Sequence, residues 1–387
     1  MSKKAIIYTT LPKIGGNAGV CYSLVKLMIR IGYEVEIWVI EPSDEESNEA
    51  LRTTLKEWGG VVIRAPRIAR RLAPHSQQVY FGLRSVVLRT PRELFMVIGM
   101  GRASSLLRRL VSARRSIYYC INHDSGKAFL QRLASLRRCF DDVVLIATNT
   151  SSELSPLIDQ PLRRKFTTIP QFTEFSRGET LWNDAPANER LKVVFMGVLK
   201  PGKGVVEIAS GWSTYAPAMS DLHIYGDGPQ RSEIEAICRT CSNRPFPQET
   251  SKVIFHGSYS LAQRETALVA ILKDADLLVL PTKTTGEGLP TVILEALCAG
   301  VPVVATHYGG VSSFSTRYYA DLPAGVRLCD TETFMETVGC MIADIRAGRI
   351  SRLEVRAFYQ RHFSDDRIEA RWRGVLSGGR VGESHVP

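Results

Sequence analysis

Short apolar runs alternate with longer stretches in which apolar residues recur every three or four positions, and the alternation spans most of the chain. Ala5-Ile-Ile-Tyr-Thr-Thr reads as a strand, Gly15-Gly16-Asn17-Ala18-Gly19 as a turn, and 20–31 as an apolar-periodic helix ended by Gly32. The pattern predicts further strands over 33–40, 61–65, 116–121, 142–147 and 166–170, and an acidic helix over 44–58. Residues 174–189 are polar and lose the periodicity, which marks a linker. A second series follows, with strands over 191–196, 222–225, 252–256, 275–280 and 301–306 alternating with helices over 204–215, 230–240, 261–273 and 290–299. An amphipathic helix is expected at about 365–376. Repeats of this kind predict an α/β protein with parallel sheets covered on both faces. We expect two Rossmann-like, doubly wound domains, 1–175 and 190–360, with a segment at 361–378 crossing back to the first. Ligands of such sheets bind outside the carboxyl ends of the strands, so the expected site is a cleft between the domains.

A length of 387 residues agrees with two domains, and a 44% hydrophobic, 23% charged composition excludes disordered and collagen-like chains. The longest clear apolar run, 94–101, is far short of the ~18 residues of a membrane span. The apolar stretch after Met1-Ser-Lys-Lys is too short for a signal peptide, so a cytoplasmic location is expected. Eight cysteines scattered through apolar segments fit a reducing compartment. Cys238-Arg-Thr-Cys241 has a metal-like spacing but neither a second such pair nor a His pair to complete it, so it reads as a helix end.

Charge changes the picture for the first half alone. Residues 1–180 hold 27 Lys and Arg against 16 Asp and Glu, a net +11, whereas the whole chain is +10. Residues 61–140 hold 16 basic residues and two acids, Glu93 and Asp124. Such a segment suits an anionic surface, and its aliphatic-Arg stretches 83–90 and 103–111 resemble interfacial helices, so an anionic membrane surface is the expected partner. Interleaved aromatic repeats and nucleic-acid-reading motifs are missing, so no nucleic acid is expected.

Candidate chemistry follows the strands of the second half. After the strand at 275–280 comes Thr285-Gly-Glu287-Gly288-Leu289-Pro290-Thr291-Val-Ile-Leu-Glu295, with Pro290 expected at the first helical position and the amides of Leu289, Thr291 and Val292 open to an anion. Glu295 falls in an otherwise apolar helix, where a carboxylate needs donors such as a sugar or ribose diol, unless it faces solvent.

These residues resemble the retaining glycosyltransferases of family 4, which have the GT-B fold. The resemblance rests on Glu287, seven intervening residues and Glu295, then Ala-Leu-Cys-Ala-Gly-Val-Pro-Val-Val-Ala-Thr and Gly309-Gly310. Gly197-Val-Leu-Lys200-Pro-Gly-Lys203-Gly204, Tyr225-Gly-Asp-Gly-Pro229, Phe255-His-Gly257 and 275–281 fit it in order, so it covers 191–312 strongly. It implies transfer of a hexose-type sugar from a nucleotide-diphosphate donor, with retention; the basic first half adds the expectation of a lipid-linked or polysaccharide-type acceptor, met by a peripheral enzyme on the inner membrane face. It further implies that Glu287 meets the sugar hydroxyls and Glu295 the ribose. Lys203, with Lys200, the Gly288, Leu289 and Thr291 amides and the Gly15-Gly16 loop, would hold the diphosphate. No metal or other cofactor is implied. Asp274-Ala-Asp276 precedes a strand and is discounted as a metal site.

His123, in Asn122-His123-Asp124-Ser-Gly126 after a strand, is placed by the resemblance near the anomeric centre; the other reading is a loop His beside the helix cap Asp124. The Gly15–Gly19 cluster lacks the first glycine of a dinucleotide fingerprint, since position 14 is Ile. Val198 stands where the resemblance implies an Arg, which motivates a second expectation, a GT-B-fold protein that binds nucleotide sugar or glycan without turnover.

Overall fold

The computed structural model describes residues 3–10, 16–40, 53, 56–57, 59–65, 74–88, 92–99, 104–121, 131, 133, 135–146, 166–171, 173, 189–242, 250–259, 264–284 and 287–378. The chain divides into two units, Met1–Gln171 with Asp366–Pro387, and Phe172–Asp365. Each is built on one all-parallel sheet.

In the first unit, seven strands lie in the order β3-β2-β1-β4-β5-β6-β7: β1 (Lys3–Thr10), β2 (Tyr33–Ile40), β3 (Val61–Arg64), β4 (Arg92–Ile98), β5 (Ala113–Cys120), β6 (Asp142–Leu145) and β7 (Phe166–Thr168). The helix α1 (Gly16–Arg30) connects β1 to β2. The pattern predicts neither strand β4 nor the first two turns of helix α2 (Pro74–Leu88), whereas the end of α2 and the helix α3 (Ser104–Leu110) fall on the aliphatic-Arg stretches 83–90 and 103–111. Strand β4 opens on two charged residues, and Arg92 is buried because Glu36 of β2 takes its guanidinium at 3.0 Å. The same carboxylate accepts from Arg84 at 3.4 Å and from the Trp38 indole at 2.8 Å. One half-buried carboxylate thus satisfies three donors that would otherwise be costly to bury. Phe81 of α2 seals this side of the core, stacked on Trp38 at 5.1 Å and edge-on to Tyr8 at 6.0 Å.

The basic window is partly neutralised by acids outside it. Arg84 and Arg92 pair with Glu36, Arg108 with Asp141 at 3.8 Å and Arg115 with Asp142 at 2.7 Å. Arg115 is therefore a structural residue and not a free surface charge.

The second unit has six strands in the order β10-β9-β8-β11-β12-β13: β8 (Leu191–Met196), β9 (Ser220–Tyr225), β10 (Val253–Gly257), β11 (Leu277–Leu280), β12 (Val303–Thr306) and β13 (Val326–Cys329). The inner strands read as unbroken apolar runs such as Leu-Leu-Val-Leu, as parallel strands buried on both faces must. The helices are α4 (Val205–Tyr215), α5 (Arg231–Ser242), α6 (Arg264–Lys273), α7 (Thr291–Cys298), the short α8 (Ser313–Arg317), α9 (Phe334–Arg346) and α10 (Arg352–Phe363). Asp276 holds the amino-terminal edge of the sheet, its carboxylate accepting from the Lys192 amide at 2.8 Å. This gives it a structural task.

The last helix, α11 (Asp365–Ser377), belongs with the first unit. Trp372 packs edge-on against Tyr119 of β5 at 5.2 Å, and Glu369 takes Arg30 at 2.6 Å. Tyr119 is fully enclosed, its hydroxyl donating to the Ile169 carbonyl at 3.1 Å, and burial pushes its pKa well up.

On the second sheet, His223 of β9 and His256 of β10 stack at 5.1 Å with Nδ1 and Nε2 2.9 Å apart, and Tyr225 stacks on His256 at 4.2 Å. Burial, then the nearby Lys192 charge, pushes the His223 pKa down to about 4 and lowers that of His256.

Candidate donor site

Strand order reverses in the second sheet where β8 lies beside β11, and the loops after these two strands carry most of the candidate residues. That position is the topological switch point, where doubly wound sheets hold ligands. The loop after β8 runs from Gly197 to Gly204 and leads into α4, while the loop after β11 runs from Pro281 to Pro290 and leads into α7. Two helix amino-termini therefore begin at one sheet edge, an arrangement suited to anions.

Hydrogen bonds fasten the two loops to each other. The Gly202 carbonyl accepts from the Lys283 amide at 2.6 Å and from the Thr284 hydroxyl at 3.2 Å. Gly204 adopts a φ of 70°, and a Cβ there would lie 2.2 Å from the Pro281 carbonyl oxygen, so only glycine fits. The turn after β9 supports the first loop from beside it, the Leu199 amide donating to the Asp227 carbonyl at 2.9 Å.

The loop from Glu287 onward is seated on Gly310. The Gly310 amide donates to the Glu287 carbonyl at 2.7 Å, and a Cβ at Gly310 would stand 2.5 Å from the Gly288 carbonyl carbon. This contact places the Glu287 side chain against Lys203, with which it forms an ion pair largely shielded from water. Leu289 and Pro290 are buried, and Gly288 and Thr291 half-buried. Pro290 is the cap of α7 and not its first residue: its ψ of 126° is extended, and the helix starts at Thr291. Its carbonyl accepts from the Ile293 amide at 3.2 Å.

Glu295 lies in the second turn of α7 and is only 2% exposed, so the solvent-facing reading of this residue is excluded. Lys200 is exposed. Gly16 opens α1, whereas Gly15 and His123 lie outside the described residues.

The structure thus brings Lys203, Glu287, Gly288, Leu289, Pro290, Thr291 and Glu295 to one edge of one sheet. Thr284 and Gly202, which join the loops, were not singled out from the sequence. Their link is a side-chain contact across 82 residues, and nothing local announces it.

Comparison with known proteins bears on the family and the fold. Residues 190–344 match the family model "Glycosyl transferases group 1". Over 134 residues the chain is 34% identical to a Bacillus subtilis (strain 168) protein bearing the name of a teichuronic acid biosynthesis glycosyltransferase, TuaC; the match covers 34% of this chain and 28% of that protein. The chain thus spans under a third of that relative's length. Anabaena Alr3699/HepE, solved with UDP-glucose, superposes with a TM-score of 0.69 at 14% identity, covering 97% of this chain and 99% of that one. A mutant of S. aureus TarM, solved with fondaparinux, alpha-GlcNAc-glycerol and UDP, superposes at 0.70 with 11% identity, covering 97% and 100%. Residues 190–344 carry the match to the group 1 glycosyltransferase family, and the two Rossmann-like units are those of the GT-B fold.

Proposed function

We propose that the protein is a retaining glycosyltransferase that moves a hexose-type sugar from a nucleotide-diphosphate donor to a glycan or lipid-linked acceptor at the inner face of a membrane, without a metal. The observation that carries this reading is the Lys203–Glu287 pair beside the start of α7, with Glu295 buried one turn further in. The family match of 190–344 includes all of these residues and supports it. The TuaC name and the glycan-bound TarM complex support a polysaccharide-type acceptor.

In this mechanism Lys203 and the Gly288–Thr291 backbone face the diphosphate, Glu287 the sugar hydroxyls and Glu295 the ribose hydroxyls. Lys200 adds a second cation on the phosphate side of this unit. The acceptor oxygen bonds to the anomeric carbon as the bond from that carbon to the phosphate oxygen breaks. The electron pair leaves on the diphosphate, which takes up the acceptor's proton on the same face. Negative charge therefore grows at the phosphate, and a cation and helix terminus aimed there favour the transition state over the ground state.

The test is incubation of the purified protein with a panel of nucleotide sugars and lipid-linked or glycan acceptors, with products read by mass spectrometry and the anomer by NMR. A product of unchanged anomeric configuration is expected. Tight donor binding with neither transfer nor slow donor hydrolysis would replace this reading with that of a non-catalytic binder.

A further inference from the structure

Helix α2 has two apolar faces, and only one of them is used by the fold. Gln77 and Phe81 point into the core. Val79, Leu83, Val86 and Val87 are between 51% and 77% exposed. At ~100° per residue these four share an arc of about 100° on the side away from Phe81, in a stripe about 12 Å long at 1.5 Å per residue. Leu110, at the end of α3, widens it: its Cδ1 lies 2.6 Å from where a Cβ of Gly82 would be, and the side chain is 39% exposed. Single exposed aliphatics are ordinary, whereas five together make a patch on the order of 400 Å², a size that on a monomer is often functional.

The distribution of charge singles out the occupant. Among the fifteen residues of α2 only Arg84 carries a fixed charge. At ~100° per residue Arg84 falls on the core side of the helix, and its guanidinium is taken by Glu36 at 3.4 Å. Arg108 of α3 is likewise engaged, with Asp141 at 3.8 Å and the Val111 carbonyl at 3.3 Å. Among the described residues, the outward half of α2 therefore presents no charge. A helix lying in a lipid interface carries Lys and Arg along its polar face, and a helix left in water carries charge on its outer side. An apolar centre depleted of charge is instead the composition of a protein–protein interface. The stripe is also its own complement, since aliphatic packs on aliphatic and two such faces meet without like-charge repulsion. Leu83 is the midpoint of 79–87, so a two-fold axis through it sets Val79 opposite the partner's Val87.

We infer that α2 is the isologous contact of a homodimer, with Leu83 at the two-fold axis, Val79, Val86, Val87 and Leu110 around it, and the exposed Arg109 in the solvated rim. A second copy of this chain thereby takes the place of the lipid surface that the stretch 83–90 suggests from sequence alone. Two patches and their rim bury on the order of 1,000 Å², which makes the association weak and reversible. The inference draws on nothing in the donor site and stands apart from the glycosyl-transfer reading.

The test is sedimentation velocity of the full chain from about 1 to 200 μM. The wild type passes from monomer to dimer with a Kd of roughly 1–100 μM. Leu83→Glu and Leu83→Lys each place like charges across the axis and raise the Kd at least thirty-fold. An equimolar mixture of these two variants returns to within about five-fold of wild type, because opposite charges then face each other. Arg109→Gln, or a rise in salt from about 0.05 to 0.5 M, changes the wild-type Kd by less than about three-fold. Far-UV circular dichroism and thermal melts at the lowest concentration match wild type in every variant and report that the chain is folded. Wild-type protein that stays monomeric, charged variants that dimerise as wild type does, or a mixture that fails to recover overturns the inference. So does a monomeric wild type whose flotation with anionic vesicles is lost in Leu83→Glu, which gives the stripe to a lipid surface.

Discussion

Glu287 holds Lys203 in an ion pair, so the cation assigned to a donor's diphosphate already has an anionic partner inside the protein. Donor binding must exchange one anion for another. Glu287→Gln therefore frees Lys203, and affinity for a nucleoside diphosphate lacking the sugar should rise about three- to ten-fold while transfer falls at least ten-fold. Lys203→Ala should weaken both. Calorimetry with the diphosphate alone separates the two variants, and weaker binding by Glu287→Gln would sink the exchange.

Glu295 is buried in α7, and under the proposed function its loss removes a charged hydrogen bond to the donor's ribose. Glu295→Ala should lower kcat/KM by ten-fold to over a hundred-fold, since such a bond is worth roughly 1.5–3 kcal/mol. Near wild-type kinetics in a steady-state assay would remove Glu295 from the site.

Gly310 has no room for a Cβ against the Gly288 carbonyl. Gly310→Ala should push the 287–290 segment off its seat and raise the donor KM by at least ten-fold. A shift of one loop leaves the six-stranded sheet intact, so far-UV circular dichroism should match wild type. An unchanged KM would show that the seat is not needed.

The stacked His223–His256 pair makes stability depend on pH. A histidine whose pKa is lower in the folded than in the unfolded state stabilises when neutral. That contribution is whole above the unfolded value of 6.5 and is lost as pH falls toward about 4. Allowing for the pair's partial exposure, the melting temperature should fall by about 2–4 °C over that window. His223→Gln should flatten the fall, and an identical slope in thermal melts of the two proteins would contradict the assignment.

Transfer should survive a chelator. Activity lost to EDTA and restored by Mg²⁺ or Mn²⁺ would replace the role given to Lys203 by a metal.

The second unit is the more legible one in the sequence because its information is local. Strands such as Leu277–Leu280 are apolar throughout, and the spacing from Glu287 to Glu295 sits in one loop and helix. Strand Arg92–Ile98 hides behind Arg92 and Glu93, and what allows Arg92 into the interior is Glu36, 56 residues away. Helix Pro74–Leu88 is apolar on its exposed side as well as its buried one, which blurs the period that would reveal it. The net charge of a sequence window misleads for a related reason. Glu36, Asp141 and Asp142 lie outside the window yet pair with four of its arginines.

The packing of Trp372 against Tyr119 has a consequence for biosynthesis. Translation delivers β1 to β7 first, but the ring that covers Tyr119 leaves the ribosome some 200 residues later, roughly 10–40 s at ordinary elongation rates. Through that interval the nascent first unit carries an open aromatic patch while the second unit is made, its own last helix α10 emerging just ahead of α11. Of the two units, the one whose strands are made first is finished last, and a stop just ahead of the Trp372 codon would release a chain whose damage lies in that first unit.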